Sequence, residues 1–198
     1  RVGDINIEPQ IMKLVPGEDI SLMDLLYGAL VWSANDAAEV IAQSFPGGRD
    51  AFIPAMNEKI KSLGLKNSNF TNPSGLPEPN HISTSRDLAT FASLAMKNPE
   101  FAKIVGTKEV TVHSADGRIS HKLVNLNELL GRVPGVLGVK TGWLDESGGA
   151  FVSYVVRDGK TFVVVVLNSQ TRFDDTRRLI EWAYANYRWG SPKPITNN

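Results

Sequence analysis

At Lys108 the spacing of apolar residues along this chain changes from a helical to a strand period, and that switch limits the folds open to it. Upstream, "SLMDLLYGALVW" opens on a capping box in which Ser21 faces Asp24. "NDAAEVIAQSF" predicts a second helix ended near Pro46-Gly47-Gly48. A third runs from about Arg49 to Leu63 with Phe52, Met56, Ile60 and Leu63 on one face and Gly64 placed to cap it. A fourth starts at the Thr84–Asp87 box and carries the stripe Leu88, Phe91, Ala92, Ala95. Val2 to Pro16 reads as short extended pieces, and "NSNFTNPSGLPEPNH" as a loop. Downstream, "EVTVHSADGRISHKL" alternates on both sides of Asp116-Gly117, the pattern of a hairpin. "GVLGVKTGW" follows as a strand, and "AFVSYVV" and "KTFVVVVL" flank Asp158-Gly159 as a second hairpin. Those last two are apolar at nearly every position, so both faces of their sheet must be covered, one of them by the helix "DDTRRLIEWAYANY". The expectation is an α+β fold: a helical lobe over about residues 20–105, an antiparallel sheet with packed helices over about 106–188, and a tail or linker at 191–198.

Charge and composition exclude several functions. Lys plus Arg and Asp plus Glu are 21 each, so the formal net charge is zero, and no basic stripe offers itself to nucleic acid. With no cysteine there is no disulfide, thiolate nucleophile or Cys-type zinc site. No apolar run approaches a membrane span, and "RVGDINIEPQ" has no signal-peptide core. Any charge chemistry must be local.

Two short stretches could carry such chemistry. In Lys140-Thr141-Gly142, the ammonium supplies positive potential, the hydroxyl a donor for a carboxylate, and the glycine room for a ligand backbone beside a strand edge. Lysine and threonine alternate across the pleat, so the twist at a strand end must bring both heads to one ligand. The triplet arises by chance in roughly one chain in twenty of this size, so alone it decides nothing. Ser33-Ala34-Asn35 lies between two helices, where Ser33 or Asn35 could equally cap the second one.

Together the stretches weigh more. Ser33-Ala34-Asn35 followed by Lys140-Thr141-Gly142 resembles two of the three signatures of the penicillin-recognising serine enzymes. "LVPGEDISLMDLLYGALVWSANDAAEVIA", "MNEKIKSLGLKNSNFTNPSGLPEPNHISTSRDLA", "NPEFAKIVGTKEVTV" and "GVLGVKTGWLDESGGAFV" narrow the likeness, from about Leu14 to Tyr187, to the low-molecular-mass D-alanyl-D-alanine carboxypeptidases. Class A β-lactamases fit less well, since no counterpart of their acidic loop stands between the two motifs. The third signature, S-x-x-K, sets a serine one helical turn from a lysine that takes its proton. No serine of the 198 residues has lysine three positions on; Ser62 meets Lys66 one position too far. The resemblance therefore implies a penicillin-binding-protein-like transpeptidase fold, N-terminally incomplete, with Arg1 downstream of the nucleophile.

The resemblance further implies that Ser33 relays a proton near the leaving amine and that Asn35 bonds the substrate backbone or the absent lysine. Lys140 would support Ser33 and the substrate's terminal carboxylate, Thr141 would bind that carboxylate, and Gly142 would keep the edge open. Trp143 would line the cleft, and "NPSGLPEPNHIST" either borders it or is a structural loop. The reaction implied is serine-type carboxypeptidase action on peptidoglycan stem peptides ending in D-Ala-D-Ala, through an acyl-enzyme that β-lactams would also form in the complete protein, without metal or cofactor. Such work on the cell wall and cell shape implies an extracytoplasmic location, the periplasm or the outer face of the envelope. Alternatives are a non-catalytic module that holds such peptides, or a fragment complemented in trans by the nucleophile segment. Loss of that segment would leave apolar faces open to self-association.

Other candidates have plainer readings. His81 stands apart, and His113 and His121, facing across a hairpin, are expected as surface residues, with no carboxylate cluster to complete a metal site. Asp36, Asp87 and Asp174 sit at helix starts, where capping accounts for them. Trp182, Tyr184 and Tyr187 are expected to pack.

Overall fold

The structure is a computed structural model that describes residues 1–7, 9–145 and 147–190; the tail expected at 191–198 lies outside them. Helices come first: α1 (Leu22–Val31), α2 (Asn35–Gln43), α3 (Gly48–Ser62), α4 (Ser85–Ala95) and α5 (Pro99–Val105). Strands β1 (Glu109–His113), β2 (Ser120–Val124), β3 (Val136–Leu144), β4 (Gly148–Arg157) and β5 (Lys160–Ser169) follow, and α6 (Arg172–Asn186) ends the order. The period change at Lys108 is thus the boundary between helices and strands. Local signals start the helices where expected. Ser21 accepts from the Asp24 N–H and Thr84 from the Asp87 N–H, and Gly64 takes the left-handed conformation after α3. Helix α5 has no apolar stripe long enough to announce it; it is started by Asn98, which caps two N–H groups, and by Pro99.

The strands form two sheets instead of one. Hairpin β1–β2 stands alone, with Val110 opposite Leu123, while β3, β4 and β5 make an antiparallel sheet in that order. Apolar faces explain the split. Val112 and Leu123 join the core of Leu25, Val31, Val40 and Ile104, so the hairpin packs onto the helices instead of extending the larger sheet. The larger sheet is covered on both faces. Phe151 and Val155 of β4 and Val164 of β5 pack with Ile180 of α6, while Val139 packs with Ala92 of α4 and Val105 of α5. Only Ala92 of the expected α4 stripe is deeply buried, and Phe91 is exposed.

The described residues among the first twenty form a strap without helix or strand, tied down by polar groups. Asp36 accepts from the N–H groups of Met12 and Leu14 at 3.0 Å each. His121 sets Nδ1 2.8 Å from the Met12 carbonyl and Nε2 2.8 Å from the Glu18 carboxylate. This corrects two expectations. Asp36 stitches the strap to α2 instead of merely capping it. His121 lies opposite Val112 and is buried, while His113 lies opposite Ser120 and is exposed, so the two do not face each other. Asp87 similarly holds the loop before α4, accepting from the Asn67 N–H and the Ser68 hydroxyl, and Asp174 pairs with Arg177 and Arg178.

Of the aromatic residues near the end of α6, Tyr184 packs on the core. Trp182 and Tyr187 lie outside that core: their rings pack edge-on against each other, 5.3 Å between centroids, while staying exposed, and they line a groove of about 640 Å³ along β5 with Leu179 and Trp189. Inside the same helix–sheet layer, the Thr176 hydroxyl is fully buried without a hydrogen-bond partner among the described residues. Thr176→Val keeps the shape and removes the stranded polar atom, and should raise stability by about 1 kcal/mol in a urea titration. A loss of that size would mean the hydroxyl is satisfied in solution.

Candidate active site

The loop between α1 and α2 and the edge strand β3 meet. Lys140 Nζ donates to Ser33 Oγ at 2.6 Å, across 107 residues of sequence. It also donates to the Thr141 carbonyl at 2.6 Å, which folds the long side chain back over its own strand. Burial, with the nearby Arg172 charge adding to it, pushes the Lys140 amine down to about 8. About one molecule in ten then carries a neutral amine at pH 7, enough to accept a proton from a neighbouring hydroxyl.

Ser33 is held at φ +60°, the left-handed region that a serine rarely adopts. The reading in which Ser33 or Asn35 only caps α2 does not hold: Ala34 is the N-cap residue and no side chain caps there. Instead the turn is braced from the strap. Gln10 Nε2 donates to the Trp32 carbonyl at 2.7 Å, and Trp32 Nε1 donates to the Ile11 carbonyl at 3.0 Å. Asn35 is tied to the strap. Its Nδ2 donates to the Pro9 carbonyl at 3.0 Å and its N–H to the Gln10 carbonyl at 2.9 Å. It braces the turn that presents Ser33.

Thr141 and Gly142 follow Lys140 on the same strand edge. The Thr141 hydroxyl oxygen accepts from Arg172 Nε at 2.9 Å, which leaves its proton free to donate. Arg172, the first residue of α6, is the candidate site residue that sequence reasoning missed; nothing in "TRFDDTRR" distinguishes it from the other helix-start charges until α6 docks beside β3. Burial draws its guanidinium below the ordinary value, with the Glu128 carboxylate opposing. It remains a cation. A Cβ on Gly142 would meet nothing nearer than the Ala150 Cβ at 3.9 Å. Among the described residues no packing demands glycine there.

Trp143 is 45% exposed beside this site, with Arg172 5.1 Å from its ring centroid. His81 is not joined to it by any described contact: its Nδ1 accepts from the Thr71 N–H at 3.2 Å, and burial holds its imidazole below the usual value. The loop around it is pinned by Asn72, whose Nδ2 donates to the Leu76 carbonyl and to Glu78. Among the described residues no three acidic or histidine side chains gather as a metal site would require.

Comparison with known proteins identifies the family. The profile of a family described as D-alanyl-D-alanine carboxypeptidase matches residues 4–171. The chain is 33% identical over 177 residues to the D-alanyl-D-alanine carboxypeptidase DacF of Bacillus subtilis, covering 88% of this chain and 45% of that protein. It is 33% identical over 192 residues to DacB2 of Mycobacterium tuberculosis, covering 93% and 65%. The chain thus spans about half to two thirds of the length of these relatives. Among solved structures, the Streptomyces K15 DD-transpeptidase superposes with a TM-score of 0.83 at 32% identity, over 89% of this chain and 72% of that one. A penicillin-binding protein homologue from Mycobacterium tuberculosis superposes at 0.87 and 32%, over 97% and 76%. The α+β architecture is therefore that of the DD-peptidases. Since the match runs through the Ser33 turn and the Lys140 strand alike, the chain belongs to the D-alanyl-D-alanine carboxypeptidase family.

Proposed function

We propose that this chain carries two walls of a serine-type D-Ala-D-Ala carboxypeptidase site, in a protein that trims peptidoglycan stem peptides outside the cytoplasm through an acyl-enzyme that β-lactams also form. The observation that carries this reading is the 2.6 Å bond from Lys140 to Ser33, set beside the Arg172–Thr141 bond. Ser33 and Lys140 move a proton to the leaving amine, because an amine near 8 both accepts and releases one close to neutrality. Thr141, Arg172 and the charged form of Lys140 bind the substrate's terminal carboxylate, and Gly142 lets its backbone lie along β3.

The nucleophile is not among these 198 residues, since no serine is followed by lysine at the third position. By itself the chain therefore captures the peptide without turnover, and a complementing segment bearing S-x-x-K would restore chemistry. The exposed groove along β5 makes self-association at high concentration part of the same proposal.

The test is titration of the chain with N-acetyl-D-Ala-D-Ala and with its C-terminal amide, followed by NMR. The acid should bind about tenfold more tightly than the amide at pH 7. The preference should weaken as pH rises through about 8, where Lys140 loses its charge and Arg172 alone remains. Equal affinity for acid and amide would remove the carboxylate site. A fluorescent penicillin should leave no covalent label on the chain, and a stoichiometric adduct would overturn the placement of the nucleophile elsewhere.

A further inference from the structure

We propose that Trp143 is a positioning residue whose indole, together with Phe173, holds the Arg172 guanidinium over the bare backbone of Gly149 and so keeps it on the Thr141 hydroxyl. The inference rests on the carboxylate-site reading above and adds the part that sets the site's second cation in place.

Thr141 and Trp143 are two residues apart on β3, so their side chains leave the same face of the strand. Arg172 lies across that face. Its Nε reaches the Thr141 hydroxyl at 2.9 Å, and its guanidinium carbon is 5.1 Å from the Trp143 ring centroid and 4.5 Å from that of Phe173. Two aromatic rings therefore attract one cation and narrow its rotamers. The floor under the arrangement is Gly149 of β4, which pairs with Trp143 across the sheet. A Cβ there would stand 2.8 Å from Arg172 Cδ, 3.1 Å from Trp143 Cε3 and 2.7 Å from the Ser169 carbonyl oxygen. Any side chain at 149 would lift both Arg172 and the indole.

Packing does not account for Trp143. It is 45% exposed and belongs to none of the three apolar cores. Its indole N–H is turned outward to the Asp145 carboxylate at 3.2 Å, so what faces inward is the ring surface. An arginine on a flexible stem must be ordered before it can grip a carboxylate in a fixed direction, and a ring that holds it beforehand removes that step from binding.

The experiment uses the 198-residue chain, N-acetyl-D-Ala-D-Ala and its amide. Trp143→Leu keeps apolar bulk and loses the ring, while Trp143→Phe keeps a ring. Trp143→Leu should weaken binding of the acid about fivefold and leave the amide unchanged, and Trp143→Phe should stay close to the wild type. In the unliganded wild type, the Arg172 Cδ protons should show an upfield ring-current shift and a resolved Nε–H resonance; Trp143→Leu should reduce the former to the part that Phe173 supplies and broaden the latter. Acid binding by Trp143→Leu equal to wild type, with the Nε–H unmoved, would overturn the positioning role while leaving the site intact. Unshifted Arg172 resonances in the wild type would overturn it without any variant. A wild type that binds acid and amide alike would instead point to failure of the carboxylate reading itself.

Discussion

Lys140→Met is expected to make the fold more stable while disabling the site. Burial and the Arg172 charge lower the amine from 10.5 to about 8, so the folded state holds that proton less firmly than the unfolded chain does. A gap of that size destabilises the protein by about 3 kcal/mol at pH 7. Methionine fills the same space with no charge to desolvate. It forfeits the bonds to Ser33 and to the Thr141 carbonyl, each worth about 1 kcal/mol net. The expected balance is a gain of about 1–2 kcal/mol, or about 3–6 °C in Tm for a chain of this size. The pH dependence gives the sign. Because the unfolded state binds more protons between about 8 and 10.5, the wild type regains stability as pH rises through that window. The advantage of Lys140→Met should therefore be full at pH 7 and shrink towards pH 10.5 in parallel thermal melts. A variant less stable than wild type at pH 7, or an advantage flat with pH, would show that the amine is well solvated. In a protein that carries the nucleophile as well, the same change should lower turnover by about 10²–10⁴-fold, the usual worth of a positioned proton-transfer group.

Asp36→Ala should produce the largest loss of stability in the chain. The Asp36 carboxylate is buried and accepts from the Met12 N–H at 3.0 Å, the Leu14 N–H at 3.0 Å and the Ala37 N–H at 2.9 Å. Alanine strands these donors where water does not replace the lost oxygens. Bonds to a charged acceptor contribute about 1.5–3 kcal/mol each and are not additive, so a total of about 3–5 kcal/mol is expected. That is a large share of the roughly 5–15 kcal/mol that holds a domain folded. The damage should begin in the strap, since Met12 also packs over Gly28, whose added Cβ would lie 2.4 Å from the Met12 sulfur. Amide exchange at Met12 and Leu14 should accelerate more than at β4, and the urea midpoint should fall. Asp36→Asn, which keeps one good acceptor, should lose about half as much. If Asp36→Ala stayed within about 1 kcal/mol of the wild type, the strap would be held by its apolar contacts alone.

These two residues stand on different sides of what a sequence reveals. The segments were legible because each rests on contacts within a few residues. Ser21 and Thr84 cap their helices through the third N–H onward, Gly64 takes the left-handed turn after α3, and Asp116-Gly117 and Asp158-Gly159 close their hairpins. The pairing of Ser33 with Lys140 was anticipated only because two short motifs stood in a known order; neither spacing nor periodicity says that residues 107 apart touch.

The rest depended on docking. Alternation along β1 and β2 marks one apolar face on each strand but not which core will receive it, so the division into two sheets was invisible until the hairpin met α1. Asp36 looked like a cap because helix starts favour acids, and only the folded strap supplied the two N–H groups that claim it. Asn35 likewise braces the turn through the Pro9 and Gln10 carbonyls, which no spacing in the sequence announces. Arg172 became part of the site when the start of α6 came to rest beside the end of β3. Local order thus follows from short-range sterics and hydrogen bonds that the residue order itself encodes, whereas the chemistry of a side chain depends on which distant groups share its desolvated space. The amine of Lys140 shows the difference: its residue type promises an ordinary ammonium, and burial beside another cation leaves it poised near neutrality.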